Sequence, residues 1–129
     1  MAGEKICRIL IVEDNLDAAN ALAVTLERQA HEVQTARNGT EALAVAAYFR
    51  PHAVIIDIGL PGLDGFYVAR ELRKATPHLL IIAATGRSSA EDIQESRAAG
   101  CDHHLVKPLD LNAVTRLLSD WKVFQGCEA

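Results

Sequence analysis

Five short apolar runs, separated by segments of helical periodicity, constrain the fold of this chain more than any other feature. The runs lie at 7–12, 31–36, 52–57, 78–85 and 102–107. Three of them are almost continuously apolar, which is typical of strands buried on both faces of a parallel sheet, whereas the run at 31–36 alternates and predicts an edge strand. Strand alternating with helix five times predicts an α/β fold, a (βα)5 domain with a doubly wound parallel five-stranded sheet.

The helices between these runs carry start and stop signals. Residues 15–29 and 110–121 each place apolar side chains on one helical face. Residues suited to an N-cap stand at Asn15, Thr40, Asp64 and Asp110, residues 88–91 fit a capping box beginning at Ser88, and Gly100 follows 89–99 as a C-terminal capping glycine. Asn38-Gly39 is predicted to be a turn pair. The signals agree with the alternation of strands and helices.

Length and composition restrict the kind of protein. A chain of 129 residues is close to the usual size of a single domain, so we predict one domain over 1–129, with a core at about 6–122 and a tail at 123–129. The net charge of −4 and the lack of a basic run argue against nucleic-acid binding. No stretch suits a membrane span or a signal peptide, and the scattered cysteines form no disulfide framework. We therefore expect a cytoplasmic protein.

Polar residues end four of the five predicted strands. They are Glu13 and Asp14 after the first strand, Asp57 at the third, Thr85 at the fourth and Lys107 at the fifth. All strands of a parallel sheet point the same way and ligands bind at the carboxyl edge, so these side chains are expected to meet in space. Three carboxylates, one hydroxyl and one ammonium group therefore converge.

The chemistry of this set points to a phosphoryl group and a divalent cation. Crowded carboxylates repel one another, so either one is protonated with a raised pKa or a cation lies between them. Hard oxygen ligands favour Mg2+, which keeps open positions for phosphate oxygens. Lys107 and Thr85 suit the oxygens of a transferred phosphoryl group, and Asp57 is the natural nucleophile, forming an acyl phosphate.

This constellation resembles the receiver domain of two-component response regulators. The matching stretches are ILIVEDN at 9–15, IIDIGLPGLDGF at 55–66, IIAATG at 81–86 and HLVKP at 104–108, and the resemblance extends from Ile6 to about Trp121. It implies a flavodoxin-like sheet with the strand order 2-1-3-4-5. It also implies a signalling domain rather than an enzyme, one that assists only its own phosphorylation and dephosphorylation.

The resemblance assigns a role to each residue of the site. Asp57 would be the phosphoacceptor. Asp14 and Asp57 would bind Mg2+ directly, together with the backbone carbonyl of Gly59, and Glu13 would bind it through water, with Mn2+ as an alternative ion. Lys107 would form an ion pair with the phosphoryl group, and its peptide bond to the following proline would be cis.

The resemblance also implies a conformational switch. Thr85 would hydrogen-bond a phosphoryl oxygen and move on phosphorylation. His104 occupies the position where the family usually has a Tyr or Phe ring that turns inward with the threonine. The change would remodel the surface of the fourth helix, fifth strand and fifth helix, at about 88–121. Gly59 and Arg87 occupy positions that tune dephosphorylation, with Arg87 either over the phosphoryl group or in solvent.

Histidine kinases or histidine phosphotransfer proteins are the phosphoryl donors that the resemblance implies. We also expect an unknown output protein, no membrane contact, and a monomer or weak dimer. Only VFQGCEA follows the fifth helix, so no effector domain is expected in this chain. The chain is then either a stand-alone regulator or the receiver of a longer hybrid sensor kinase, which DIGLPG and DHHLVKP favour.

Three other functions fit the residues less well. A haloacid-dehalogenase-like phosphohydrolase needs a second aspartate where Gly59 stands. A flavodoxin-type flavin carrier needs a phosphate-binding loop where Glu13 and Asp14 would repel phosphate. A receiver-like interaction module that is never phosphorylated has no need of the complete set of acids, threonine and lysine.

Overall fold

One parallel sheet of five strands forms the centre of the molecule. The structure is a computed structural model, and it describes residues 7–59, 62, 64–86 and 90–125, the side chains of 121–125 excepted. The strands are β1 (Arg8–Val12), β2 (Glu32–Ala36), β3 (Ala53–Asp57), β4 (Leu80–Thr85) and β5 (His103–Val106). Their order is β2-β1-β3-β4-β5, and every pair is parallel. The predicted α/β fold and strand order are confirmed, with β2 at an edge.

Helices cover both faces of the sheet, as the doubly wound prediction requires. They are α1 (Leu16–Arg28), α2 (Gly39–Phe49), α3 (Gly65–Ala75), α4 (Ala90–Ala98) and α5 (Leu111–Gln125). One face of the sheet packs against apolar residues of α1 and α5, and the other against those of α2 and α3. The inner strands β1, β3 and β4 are therefore buried on both faces, which explains their nearly uninterrupted apolar sequences.

Three of the predicted N-caps are confirmed. The side chain of Asn15 accepts a hydrogen bond from the backbone N–H of Ala18 at 3.0 Å, at the start of α1. Asp64 caps α3 through the backbone N–H of Phe66, and Asp110 accepts from a backbone N–H in the first turn of α5. Each side chain thus satisfies an N–H group that has no partner within its own helix. The capping box predicted at Ser88 lies outside the described residues.

The predicted cap of α2 is wrong. Asn38, not Thr40, occupies the N-cap position, and its side chain accepts a hydrogen bond from the backbone N–H of Glu41 at 2.8 Å. Gly39 is consequently the first residue of the helix rather than half of a turn pair. Asparagine ranks above threonine as a cap, and this preference starts the helix earlier.

The helices around β5 complete the fold. Gly100 follows α4 with a φ of 96°, the left-handed conformation expected of a capping glycine. α5 runs to Gln125, beyond the predicted 110–121. In the part of the chain that the structure describes, no helix combines the length and the apolar character needed to cross a membrane. The side chain of Trp121 and residue Cys127 lie outside that part.

Candidate functional site

Three carboxylates meet at the carboxyl edge of the sheet. Glu13 and Asp14 follow the last residue of β1, and Asp57 is the last residue of β3, the strand paired with β1. One oxygen from each of these side chains lies within 4.8 Å of the others. Glu13 and Asp57 are buried, whereas Asp14 is exposed. The structure thus brings the three acids together, as the position of the strand ends predicts.

The ammonium group of Lys107 bridges two of these acids. Its Nζ donates to Glu13 Oε1 at 2.7 Å and to Asp57 Oδ2 at 2.9 Å. The end of β5 positions it, because the backbone N–H of Lys107 continues the sheet by donating to the Thr85 carbonyl at 2.8 Å. Among the described residues, one cation therefore faces three acids, and these groups carry an excess of negative charge when all three acids are ionised.

Burial has the largest influence on the ionisation of Glu13. Burial raises the pKa of the Glu13 carboxyl and the charge of Asp57 adds to the rise, while hydrogen bonds from Lys107 and the Asn15 backbone oppose it. Burial alone would lower the pKa of Lys107, but hydrogen bonds to Glu13 and Asp57 outweigh it and raise that pKa. Lys107 therefore stays charged at neutral pH, and Glu13 takes up a proton more readily than an exposed glutamate.

The two oxygens of Asp57 have different partners. Oδ2 pairs with Lys107, and Oδ1 accepts a hydrogen bond from the backbone N–H of Gly59 at 2.9 Å. Gly59 is exposed, and a Cβ placed on it would lie 3.6 Å from Asp57 Oδ1. Because position 59 has no side chain, nothing from that residue covers the carboxylate.

The donor set fits a divalent cation. Glu13, Asp14 and Asp57 supply carboxylate oxygens close enough together to share one ion. Oxygen donors of this kind suit Mg2+ and Ca2+, whereas softer metals favour nitrogen and sulfur ligands. The acidic cluster is therefore able to bind a metal ion, and the surplus of negative charge over Lys107 favours one.

Thr85 reaches the same edge from the fourth strand. It is the last residue of β4, it is half-buried, and it pairs in the sheet with Val106. The peptide bond between Lys107 and Pro108 is cis, as the resemblance implies. Arg87, for which the sequence left two positions open, lies outside the described residues.

His104 makes a contact that the sequence did not predict. Its ring Nδ1 lies 2.7 Å from the hydroxyl oxygen of Ser96. Within Ala90–Ala98, all of which the structure describes, Ser96 is the one buried residue of α4. The bond therefore connects β5 to α4 at the only residue of that helix that is withdrawn from water. The sequence of α4 does not predict this contact, because its apolar residues do not form a clear helical face.

Comparison with known proteins identifies the family. The model of the response regulator receiver domain matches residues 9–119, a span that includes all the acids of the cluster and Lys107. The chain belongs to the response regulator receiver family. In this receiver domain the family match and the strand order lead to the same conclusion as the motifs in the sequence.

Curated relatives of the receiver domain are about twice its length. It is 38% identical over 101 residues to transcriptional regulatory protein AfsQ1 of Streptomyces coelicolor, a match that covers 78% of this chain and 44% of that protein. It is 38% identical over 104 residues to response regulator MprA of Mycobacterium sp. strain KMS, covering 81% of this chain and 45% of that protein. The matched segments thus span less than half the length of these two relatives.

Solved structures share the fold over nearly the whole receiver domain. Chemotaxis response regulator CheY4 of Vibrio cholerae has 30% identity and a TM-score of 0.83, covering 90% of this chain and 98% of that one. A chain from the co-crystal structure of the Saccharomyces cerevisiae histidine phosphotransfer protein Ypd1 with the receiver domain of Ssk1 has 26% identity and a TM-score of 0.86, covering 94% and 92%. A Burkholderia pseudomallei response regulator with a phosphorylated aspartic acid, calcium ion and citrate has 27% identity and a TM-score of 0.81, covering 92% and 71%.

Proposed function

We propose that this receiver domain accepts a phosphoryl group on Asp57 in a reaction that depends on Mg2+. The observation that carries the proposal is the cluster at the carboxyl edge, where Lys107 donates to Glu13 and Asp57 while Asp14 lies close by. A cation bridging two buried acids is a costly arrangement for stability alone, because charged groups lose their hydration on burial. Its presence at the ligand-binding edge of a parallel sheet therefore favours a chemical role.

The transfer itself requires a nucleophile and a leaving group. A carboxylate oxygen of Asp57 forms a bond to phosphorus, the bond between phosphorus and a donor imidazole nitrogen breaks, and the imidazole takes a proton from solvent. The product is an acyl phosphate. Lys107 then pairs with a phosphoryl oxygen, and the hydroxyl of Thr85 donates to another. The position of Thr85 at the end of β4 and of Lys107 directly after β5 supports both roles.

The metal would be held by Asp14, Asp57 and the backbone carbonyl of Gly59, with Glu13 acting through water. Mg2+, or Mn2+ in its place, supplies positive charge that stabilises the oxygens of the phosphoryl group during transfer. The raised pKa of Glu13, which burial causes, suits a residue that does not bind the ion directly. Asp14 is exposed, so its carboxylate is accessible to a hydrated ion and suits a direct ligand.

Phosphorylation would act on partners through Thr85 and His104. Movement of Thr85 towards the phosphoryl group would draw the His104 ring with it and remodel the surface of α4, β5 and α5. The hydrogen bond between the His104 ring and the Ser96 hydroxyl supports this part of the proposal, because it links the ring to α4. A local change in charge that biases a two-state element is sufficient for such a switch.

The donor would be a histidine kinase or a histidine phosphotransfer protein. A groove of about 560 Å3, lined by residues of α1 and of 107–111, includes Glu13, Asp57 and Lys107 on its wall. It would give a phosphohistidine side chain access to Asp57. The similarity to a chain from the Ypd1–Ssk1 receiver complex supports a donor of this type. The domain would work in the cytoplasm as a signalling module and not as an enzyme with an external substrate. It would act either alone or as part of a hybrid sensor kinase.

Intact-mass spectrometry tests the acceptor directly. Wild type incubated with Mg2+ and acetyl phosphate is expected to gain about 80 Da, the mass of one phosphoryl group in an acyl phosphate. Asp57→Asn should gain nothing, and Asp14→Asn should gain it at least tenfold more slowly, because the removal of a metal ligand costs that much or more. Asp17→Asn is the matched control, since it removes the same charge from an exposed position in the first turn of α1.

An adduct that persists in Asp57→Asn would place the acceptor elsewhere and refute the proposal. If wild type gains no mass from several donors, beryllofluoride with Mg2+ provides the second measurement, since it binds at an acceptor carboxylate without a chemical step. Shifts in the amide resonances of Thr85 and His104 would then support a short-lived phosphoryl group, and unchanged resonances would refute the switch.

A further inference from the structure

Gly65, the first residue of α3, lies too close to the backbone of Ile58, the residue that follows β3, to carry a side chain. A Cβ built on it would lie 2.7 Å from the Cα of Ile58 and 2.9 Å from the Ile58 carbonyl oxygen. Real Cβ atoms do not approach other atoms so closely. The backbone of Gly65 does not adopt a positive φ, so lack of space, and not conformational freedom, is what requires glycine here.

The atoms that Gly65 contacts cannot move aside easily. They belong to the backbone of Ile58, so no rotation of a side chain relieves the contact. The backbone N–H of Ile58 donates to the carbonyl of Ala84 on β4 at 2.9 Å, which ties it to the sheet. Ile58 directly follows Asp57, and Gly59 comes next. Any shift of Ile58 is therefore passed to both neighbours.

The other side of the contact is equally constrained. Four residues in the helix behind Gly65 are buried in the core, namely Phe66, Val68, Ala69 and Leu72. The side chain of Asp64 accepts a hydrogen bond from the backbone N–H of Phe66 at 2.9 Å and fixes the first turn. α3 is thus anchored along its length, so the strain of an atom added at Gly65 would fall on the Ile58 backbone and on its neighbours Asp57 and Gly59.

We propose that Gly65 is a positioning residue for the metal and phosphoryl site. By allowing α3 to press against Ile58, it fixes where β3 ends and so sets the place of the Asp57 carboxylate and of the Gly59 backbone. The inference rests on the proposed function, since it concerns the same site. In this proposal Gly65 contacts neither the metal nor the phosphoryl group. It determines whether the groups that do contact them are correctly positioned.

The decisive comparison is between Gly65→Ala and Gly100→Ala. Gly100 also has restricted space, with a Cβ that would lie 3.2 Å from Arg73 Cγ and a φ of 96°, but it is located beyond α4 at the opposite edge of the sheet. Both variants are expected to lower the melting temperature. Only Gly65→Ala should weaken Mg2+ binding, by tenfold or more in isothermal titration of the full chain, and only it should shift the amide resonances of Ile58 and Gly59.

Equal Mg2+ affinity in Gly65→Ala and Gly100→Ala, with wild type binding Mg2+ normally, would overturn the positioning role and leave a purely structural one. Unchanged resonances of Ile58 and Gly59 in Gly65→Ala would overturn it as well. If wild type itself binds no Mg2+, the proposed function fails, and these resonances alone decide whether Gly65 fixes the end of β3.

A second pair of variants covers the case in which Gly65→Ala does not fold. Asp64→Ala removes the cap of α3 without adding an atom, whereas Asp64→Asn removes the same charge and keeps a side chain that caps equally well. Weaker Mg2+ binding in Asp64→Ala than in Asp64→Asn, by threefold or more, would support the positioning of the site by the first turn of α3. Equal affinities would overturn it.

Discussion

At the carboxyl edge of the sheet the polar side chains face one another, whereas at the amino edge they complete the hydrogen bonding of the backbone. The carboxyl edge holds three acids and a single lysine within reach of each other. At the amino edge the ring Nδ1 of His31 accepts from the N–H of Cys7, and that of His52 accepts from the N–H of Arg8. Both N–H groups lie where β1 begins.

The largest such network at the amino edge is centred on Arg73. This guanidinium donates to the backbone carbonyls of Gly100, Pro77 and Leu79, at distances of 2.6 to 3.1 Å, and to Asp102 at 2.8 Å. Asp102 in turn accepts from the backbone N–H of Ile81 at 2.8 Å. One side chain of α3 thereby holds the connection from α4 to β5 and the approach to β4.

The two edges of the sheet differ in what their polar side chains do for the free energy of unfolding. Side chains that satisfy backbone groups raise the free energy of unfolding, because an unsatisfied carbonyl or N–H group is costly when buried. Acids that crowd together lower it unless a cation or ligand compensates them. Substitutions at the amino edge should therefore lower stability without changing the site, and substitutions of the acids at the carboxyl edge should change the site without lowering stability.

Removal of the Arg73 guanidinium is the strongest test of this division. Arg73→Ala should lower the free energy of unfolding by about 2–4 kcal/mol, because several hydrogen bonds to a charged group are lost together. Arg73→Lys keeps the charge, but one ammonium group cannot reach all the acceptors, so its loss should be intermediate. Urea denaturation measures both, and Mg2+ titration of the folded variants should match wild type. A tenfold loss of Mg2+ affinity in Arg73→Ala would show that the edges are not independent.

The rate of alkylation of the Cys101 thiol also tests the amino edge, with a smaller effect expected than that of Arg73→Ala. Burial raises the pKa of Cys101 to about 11 from 9.0, the charge of Asp102 adds to the rise, and Arg73 opposes it. Only the thiolate reacts, so alkylation at pH 8 should be about a hundredfold slower than in the unfolded chain and should speed up about tenfold per pH unit below the pKa. Peptide mapping after timed labelling with iodoacetamide gives the rate.

Labelling of Cys101 as fast in native as in urea-unfolded protein would mean that this edge opens readily. Phosphorylation should leave the rate unchanged if the two edges are independent. Arg73→Ala should increase the rate, because the loop that contains Cys101 loses its attachment to α3.

The smallest expected effect concerns Ser96, which lies on the element that joins the two edges. Ser96→Ala removes a hydrogen bond to His104 and should cost about 1 kcal/mol of stability, with faster hydrogen exchange confined to α4 and β5. Ser119→Ala on the exposed face of α5 is the matched control. Identical exchange in both variants would show that this contact does not hold α4 in place.

The architecture and the gathering of the acids were predictable from the sequence because both depend on backbone topology. Buried parallel strands are recognisable as apolar runs, and their ends share one edge whatever the packing between them. That is why Glu13, Asp57 and Lys107 could be placed together although they are far apart in the chain. The chemical roles assigned to Asp57, Thr85 and His104 remain predictions.

The contacts of Arg73 and Ser96 could not be predicted because they depend on side-chain packing between distant elements. Arg73 and Gly100 are 27 residues apart, and an arginine on a helix is ordinarily solvated. Ser96 shows no signal because α4 has no clear apolar face to orient it. The start of α2 was missed for a local reason, since Asn38-Gly39 suits a turn and a helix cap about equally well.

The cluster is assembled from β1, β3, β4 and β5, which together span residues 8–106, and these strands bring in Glu13, Asp57, Thr85 and Lys107. No fragment that lacks one of these strands can assemble the cluster. A partly synthesised or shortened chain that lacks one of these strands would therefore lack the proposed acceptor site altogether. Formation of the proposed acceptor site and completion of the sheet are therefore inseparable in this molecule.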